Sequence, residues 1–171
     1  MNAVETIATC PLLIDDQDVA ARGGRTYDRL DPMTGAVATR AAAASVEDAI
    51  RAADAAAAAF PAWSEIGPNA RRALLSAGAD ALQARAADFV AAAVTETGAT
   101  APWIGFNVML AAGMLREAAA MTTQIGGEVI PSDKPGCIAM AVRQAAGVVL
   151  GIAPWNAPVI LGVRALAMPL A

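Results

Sequence analysis

The sequence predicts an α/β protein, and three features of the 171-residue chain support this class. Short apolar runs separated by turn residues fill positions 11–40, which is typical of strands. Apolar residues then recur at helical spacing between 45 and 126. Beyond 127 the short apolar runs return, and 147–152 is continuously apolar, as expected of a parallel strand covered on both faces.

The first strands are predicted from their boundaries. Residues 12–14 form an apolar run that stops at Asp15-Asp16, and Gly23-Gly24 breaks the chain before a second run at Thr26-Tyr27. The segment 31–35, DPMTG, is a predicted turn, because proline presets φ and glycine tolerates the positive φ that closes a turn.

Four helices are predicted next from their capping and breaking residues. Ser45 starts a capping-box pattern, and Pro61 is expected to end that first helix. A second helix is predicted from about Pro68. Asp88 is expected to cap a third helix that stops at Gly98. A fourth helix is predicted from Pro102 to the glycine pair at 126–127.

The last part of the chain is predicted to return to strands. Residues 128–130 and 138–142 flank a polar turn and indicate a hairpin. The strand at 147–152 then breaks at a proline, turns at Trp155-Asn156 and continues as a helix from Pro158. Such strand-turn-helix passages are where α/β folds place ligand chemistry, because backbone donors and a helix N-terminus converge there.

Composition excludes several classes of function. The chain has 12 basic and 16 acidic residues and no histidine, so neither a nucleic-acid partner nor a histidine-based site is indicated. Cys10 and Cys137 lie far apart, which argues against a disulfide framework and a zinc motif. Cys137 lies in a predicted hairpin strand with no histidine in the chain to activate it, so we do not expect it to be catalytic. Because the N-terminus lacks a basic region before an apolar stretch, we expect no secretory signal and a cytoplasmic location.

Two non-enzymatic alternatives stay open at this point. The uncharged segment 145–163 is long enough to span a bilayer and raises the possibility of a membrane-associated helical protein. Pro154, Asn156 and Pro158 at its centre argue against a membrane span, because their turn would leave polar backbone in lipid. The other alternative is a non-catalytic dimerisation or scaffold module made of the helices and the hairpin.

Asn156 is the main candidate for chemistry, and it has two interpretations. Fixed at a helix entry, its side-chain amide can donate a hydrogen bond to the oxygen charge that develops on a carbonyl. Alternatively, Asn156 only caps the helix that begins near Pro158, as asparagine often does.

The run from Gly147 to Pro158, GVVLGIAPWNAP, resembles the G-V-V-x-x-I-x-P-W-N-x-P signature of the NAD(P)-dependent aldehyde dehydrogenase superfamily. Further likenesses occur upstream in the same order: N-P-x-T-G at 31–35, F-x-x-W at 60–63, E-T-G at 96–98 and the typical GEVIP at 127–131. One departure is Ala145, where the family usually has proline before the strand. The resemblance covers the chain from about residue 12 to its end.

This resemblance implies the N-terminal part of the aldehyde dehydrogenase fold, truncated at Ala171. It divides the chain into the first strands and helices of a Rossmann-like dinucleotide-binding domain at 1–125, an oligomerisation-arm hairpin at 126–144, and the first strand-turn-helix of the dinucleotide-binding core at 145–171. Whole enzymes of the family are homo-oligomers, dimers or tetramers, so we expect the same of a full-length form.

The resemblance also implies the site. In the family, the backbone around Ile152, Ala153, Pro154 and Trp155 lines the pocket for NAD or NADP, and Asn156 helps to form the oxyanion hole. The implied reaction starts with a cysteine thiolate that attacks an aldehyde, passes hydride to NAD(P), and ends when a glutamate-activated water releases the acid. That cysteine and that glutamate belong to motifs downstream of this chain, so we expect the chain alone to be inactive.

The implied substrate is an aromatic aldehyde. The sequence W-N-A-P-V-I-L-G-x-R at 155–164 is similar to that of bacterial aldehyde dehydrogenases of the salicylaldehyde and vanillin types. Arg164, its last residue, is expected to pair with a phenolic or acidic substituent of the substrate. Trp103, Phe106 and Asn107 are expected to line the substrate tunnel. The competing interpretations are a solvated helix charge for Arg164 and a core or interface filler for Trp103. NAD is the cofactor that we favour.

Overall fold

The computed structural model describes residues 7–171 and confirms the mixed α/β class. The strands are β1 (Ala8–Cys10), β2 (Leu12–Ile14), β3 (Gln17–Val19), β4 (Thr26–Leu30), β5 (Val37–Ala42), β6 (Glu128–Ile130) and β7 (Ala139–Ala141). The helices are α1 (Val46–Glu65), α2 (Pro68–Ala84), α3 (Ala86–Thr97), α4 (Ala101–Met121) and α5 (Pro158–Leu170).

The N-terminal strands form a small sheet and a hairpin. The sheet has the order β1-β5-β4, with β1 parallel and β4 antiparallel to β5. Strands β2 and β3 pair antiparallel across a tight turn at Asp15 and Asp16, both of which have positive φ. The predicted strand at 12–14 and the turn that ends it are therefore confirmed.

The predicted turn at 31–35 is also confirmed. The backbone N–H of Gly35 donates to the carbonyl of Asp31 at 2.8 Å, and Gly35 has φ of 72°. The Asp31 side chain accepts the N–H of Met33 at 2.7 Å, which holds the pKa of this carboxyl below its ordinary value. A Cβ added at Gly98 would lie 2.9 Å from Pro32 Cγ, so the turn packs closely against the end of α3.

Helix α1 starts at the predicted capping box but does not stop at Pro61. Ser45 Oγ accepts the N–H of Asp48 at 3.2 Å, and Asp48 Oδ2 accepts the N–H of Ser45 at 2.9 Å. The expectation that Pro61 ends the helix is wrong, since α1 continues to Glu65. Proline removes only the one bond to the carbonyl four residues before it, and Ser64 Oγ donates to the Pro61 carbonyl at 2.7 Å in the final turn.

Asp48 also connects α1 to the preceding loop, because its Oδ2 accepts the N–H of Arg22 at 2.9 Å. The backbone bonds from Ser45 and Arg22 lower the pKa of this buried carboxyl, so its stabilising effect is present above the ordinary aspartate pKa and is lost as the pH falls through the folded value. We expect Asp48→Asn to lower the urea midpoint at about pH 7 and to lower it less at about pH 3, below the ordinary aspartate pKa. Asp54→Asn, on the exposed face of α1, is the control. An equal loss at both pH values would contradict this role.

The core lies between α2, α4 and α5 and consists largely of alanine. The buried cluster contains Leu75, Ala79, Ala112, Leu115, Ala118, Ala119 and Ala167. Small side chains let the helix backbones approach closely, so that many weak dispersion contacts hold the helices together.

Helix α3 begins earlier than predicted. Arg85 occupies its N-cap, and Asp88 lies in its first turn and pairs with Arg85 at 3.1 Å. The predicted stop at Gly98 is confirmed by its left-handed φ of 68°.

Both ends of α4 differ slightly from the prediction. The helix begins at Ala101, one residue before Pro102, and stops at Met121, where a 3-10 turn at Thr122–Gln124 follows. Arg72 Nε on α2 donates to the carbonyl of Ala119 at 3.2 Å and satisfies one of the acceptors at this helix end.

The predicted hairpin is confirmed, whereas the prediction of a buried strand at 147–152 is wrong. Strands β6 and β7 pair antiparallel with Val129 opposite Met140. Residues 147–152 join no ladder with any described residue, and Leu150 and Ile152 are each 82% exposed. A parallel strand needs partners on its edges and covering helices on its faces; within 7–171 this segment has no ladder partner, and it contacts α5 at Gly151. No helix among the described residues is long and apolar enough to cross a membrane.

This exposed segment should make the 171-residue chain self-associate. Its backbone groups have no ladder partner within 7–171, its side chains are apolar, and no charge opposes pairing with a second copy. We expect light scattering coupled to size exclusion to show oligomers whose size grows with concentration. The double variant Leu150→Glu with Ile152→Glu should shift the chain toward monomer, whereas Leu13→Glu at another exposed position should not. A monodisperse parent monomer at high concentration would overturn the expectation.

Candidate active site

The segment that carries the W-N pair reaches its position by packing on α5. A Cβ added at Gly151 would lie 2.8 Å from Ala165 Cβ and 3.2 Å from the Ala165 carbonyl, so the backbone at Gly151 lies almost in contact with the helix. The chain then turns and enters α5 at Pro158, whose fixed φ suits the first position of a helix. Glycine and proline together therefore fix the turn at 153–157.

A groove of about 390 Å³ lies beside this turn. It is bounded by α3, by the end of β4 and by the turn itself, and its lining residues are Arg29, Phe89, Ala92, Ala93, Glu96, Thr97, Ala153, Pro154, Trp155, Pro158 and Val159. The groove brings the E-T of the E-T-G motif next to the P-W of the P-W-N motif, although the two are more than 50 residues apart in the chain.

The groove has a charged wall and an aromatic rim. Arg29 Nε pairs with Glu96 Oε2 at 3.4 Å, with both side chains partly exposed. Trp155 is 74% exposed and presents its indole beside the groove. Sequence reasoning did not single out Arg29: a lone arginine on a strand has no periodic signal, and its partner lies on another element. Glu96 had a signal only as part of the E-T-G motif.

Asn156 is exposed and does not line the groove, although Trp155 before it and Pro158 two residues after it do. The N-cap of α5 is Ala157, and no side chain caps this helix. The interpretation of Asn156 as a simple helix cap is therefore wrong. Among the hydrogen bonds within residues 7–171, none involves the Asn156 amide, which leaves its donor available.

The predicted cofactor residues divide into two sets. Ala153, Pro154 and Trp155 line the groove, whereas Ile152 lies outside it with an exposed side chain. The cofactor role of these four residues stays a prediction.

The predicted substrate residues on α4 lie outside the groove and form an aromatic face. The rings of Trp103 and Phe106 stack with centroids 5.7 Å apart and planes 26° apart, and the two side chains are 43% and 42% exposed. Asn107 lies next to them and is 0% exposed, with Nδ2 donating to the Trp103 carbonyl at 2.8 Å. Arg164 on α5 is exposed, and its charge is in no ion pair within residues 7–171.

The two cysteines, Cys10 and Cys137, are both free and exposed. Within the described part of the chain, no three side chains of metal-ligating type converge on one point.

Comparison with known proteins places this arrangement in a family. The profile described as "Aldehyde dehydrogenase family" matches residues 19–171. A vanillin dehydrogenase of Pseudomonas fluorescens is 63% identical over 161 residues, which is 94% of this chain and 33% of that protein. A salicylaldehyde dehydrogenase of Pseudomonas putida is 42% identical over 159 residues, 93% of this chain and 33% of that protein.

A solved structure gives the same result at the level of the fold. The salicylaldehyde dehydrogenase from Pseudomonas putida G7, complexed with salicylaldehyde, superposes with a TM-score of 0.93 at 41% identity and covers 95% of this chain and 34% of that one. The chain belongs to the aldehyde dehydrogenase family, an NAD(P)-dependent family of oxidoreductases. It spans about a third of the length of the curated relatives that it matches.

Proposed function

We propose that this chain forms the N-terminal third of an enzyme that oxidises an aromatic aldehyde, of the vanillin or salicylaldehyde type, to its carboxylic acid with hydride transfer to NAD(P). The observation that carries the proposal is the 63% identity to a vanillin dehydrogenase over 94% of the chain. A match over 161 of the 171 residues covers the turn at 153–157 and helix α4, where the candidate chemistry lies.

In this proposal Asn156 acts on the carbonyl oxygen. Its amide is exposed at the entry of α5 and has no acceptor within the described chain, so its N–H groups are free to donate to an oxygen that becomes negative during attack on the aldehyde. A fixed donor at such a place contributes about 3 kcal/mol to transition-state stabilisation. No proton needs to leave Asn156, because a neutral amide donates in every protonation state of the enzyme.

The turn also offers a surface that fits a dinucleotide. Ile152 and Trp155 expose large apolar surfaces, and Pro154 lies between them at the groove. Apolar surface of this kind suits the aromatic rings of NAD(P), which when bound supplies the hydride acceptor. We assign Ile152, Ala153, Pro154 and Trp155 to cofactor binding, and NAD is the cofactor that we favour.

The aromatic face of α4 supplies the substrate contact. The stacked rings of Trp103 and Phe106 present a π-surface on which an aromatic aldehyde can stack with an offset. Arg164 adds an unpaired cation, and its guanidinium can donate to a phenolic oxygen of the substrate. Aromatic stacking and a cation together favour hydroxylated aromatic aldehydes over aliphatic ones.

The experiment that tests the proposal uses a chimera in which this chain replaces the 161 aligned residues of the Pseudomonas fluorescens vanillin dehydrogenase. Acid formation from vanillin, salicylaldehyde and propionaldehyde is followed by chromatography with NAD and with NADP. We expect kcat/KM for the aromatic aldehydes to exceed that for propionaldehyde. A folded chimera that turns over none of them would refute the proposal and favour the scaffold alternative.

Arg164→Ala in the chimera should raise the KM for vanillin and salicylaldehyde about tenfold, because it removes a charge-assisted hydrogen bond of roughly 1.5 kcal/mol. The KM for benzaldehyde, which lacks the phenolic oxygen, should change little. Arg116→Ala, which removes a cation elsewhere on the helices, is the control. Equal effects of Arg164→Ala on all three aldehydes would contradict a phenol contact.

We further assign the β6–β7 hairpin to subunit contacts. Both strands are short and exposed, with Val129 and Met140 directed away from any core formed by the described residues. A homo-oligomer, dimer or tetramer, would cover these side chains, and a cytoplasmic location agrees with two free cysteines.

A further inference from the structure

We infer that Asn107 is a positioning residue, which holds Trp103 and thereby the Trp103–Phe106 pair in the geometry that receives an aromatic ring. This inference deepens the proposed function, since the ring it refers to is that of the aldehyde. Four observations carry it: the burial of Asn107, its one hydrogen bond, its unpaired oxygen and its place on α4.

Burial excludes Asn107 from direct contact with a ligand. Ile104 and Asn107 are the largest side chains with no exposure among the described residues, whereas Trp103 and Phe106 are each about two-fifths exposed. A ligand on the outer face of α4 therefore meets the two aromatic rings and not the amide beneath them. Any influence of Asn107 on the ligand must pass through its neighbours.

Its hydrogen bond reaches one of those neighbours. Asn107 Nδ2 donates to the carbonyl oxygen of Trp103 at 2.8 Å, in addition to the ordinary helical bond that this carbonyl receives. At about 100° per residue, Trp103 and Asn107 lie about 40° apart around α4, so the amide lies directly beside the aromatic face. The bond fixes the backbone of Trp103 in the first turn of the helix.

That first turn needs such a restraint. The N-cap of α4 is Thr100, whose side chain makes no capping bond, and Pro102 has no N–H. Helix ends without caps fray, and fraying here would move the backbone that carries Trp103. Ile104 anchors the turn by packing, and Asn107 adds the directional bond that packing cannot supply.

The chemistry of the side chain argues against a purely structural role. Asn107 Oδ1 is buried without a hydrogen-bond partner, which disfavours folding. A leucine of similar size at this position would avoid that cost, and the Trp103 carbonyl would keep its helical bond. A residue that costs stability while it orients an exposed aromatic pair is typical of a site that trades stability for geometry.

The test uses the 171-residue chain at micromolar concentration with Trp63 and Trp155 replaced by phenylalanine, so that Trp103 is the one remaining tryptophan. Time-resolved anisotropy and acrylamide quenching report the local motion and exposure of Trp103. We compare Asn107→Leu, which lacks the donor, with Asn107→Ser, whose hydroxyl can donate to the carbonyl four residues earlier.

We expect Asn107→Leu to keep its thermal midpoint within about 4 °C of the parent or above it, while Trp103 gains motion and quenches more readily. Asn107→Ser should restore the parent values of both signals. Unchanged anisotropy and quenching in Asn107→Leu would overturn the inference. So would altered anisotropy and quenching in Asn107→Leu that Asn107→Ser does not return to the parent values. Because no aldehyde enters this experiment, its outcome is independent of whether the chimera turns over vanillin.

Discussion

Asn156→Ala in the vanillin dehydrogenase chimera should lower kcat roughly 10²–10³-fold and leave the KM for vanillin nearly unchanged. The amide donates to an oxygen that carries negative charge only in the transition state, so its removal affects the chemical step and not ground-state binding. The exposed amide has no acceptor within the described chain, so its loss leaves no internal partner unsatisfied. The thermal midpoint of the variant should therefore match that of the parent chimera.

Asn69→Ala is the matched control for this prediction. Asn69 lies in the first turn of α2, is exposed, and is remote in sequence from the turn at 153–157. We expect full activity in this variant. An Asn156→Ala enzyme with a kcat close to that of Asn69→Ala would show that the amide does not act on the carbonyl oxygen.

Gly151→Val should have the second largest effect, because it changes the place where the segment packs on α5. An added Cβ would lie 2.8 Å from Ala165 Cβ, inside van der Waals contact, and the valine methyl groups increase the overlap. We expect the chimera to lose about 1–3 kcal/mol of unfolding free energy. We also expect kcat/KM to fall at least roughly tenfold, since the turn that carries Asn156 is displaced. Urea unfolding and steady-state kinetics with vanillin measure the two effects.

Gly113→Ala should change the free energy of unfolding in the opposite direction, because this glycine has no such contact. Gly113 is exposed within α4, and a Cβ added there meets no atom within 4 Å. Alanine should stabilise the chimera by about 0.5–1 kcal/mol through the lower conformational entropy of the unfolded chain. If Gly151→Val were tolerated as well as Gly113→Ala, the close packing of the segment on α5 would not control the site.

Local signals in the sequence predicted most of the elements. Ser45 and Asp48 form the capping box that their spacing indicates, and Gly35 and Gly98 have the positive φ that their turns require. These features depend on residues within a few positions of each other, so the sequence contains all the information they need. Pro61 shows the limit of a local rule, since the helix around it continues despite the missing N–H.

Features that depend on distant partners were not predictable. The run 147–152 has the composition of a buried strand, but burial depends on what lies beside it, and within residues 7–171 no strand pairs with this run. The groove beside Trp155 arises because α3 and the turn at 153–157 meet, and the Arg29–Glu96 ion pair forms because β4 and α3 meet. For Asn156 the residue type and motif indicated a role, and only the structure excluded the capping alternative.

The distance between Asn156 Nδ2 and the carbonyl oxygen of an aldehyde tests the central claim most directly. It can be measured in a crystal structure of the chimera with NAD and vanillin bound. We predict a separation of about 2.7–3.1 Å, the range for a donor aimed at a developing oxyanion. An Asn156 amide that faces bulk solvent in that structure, with the aldehyde oxygen bound by other groups, would contradict the account.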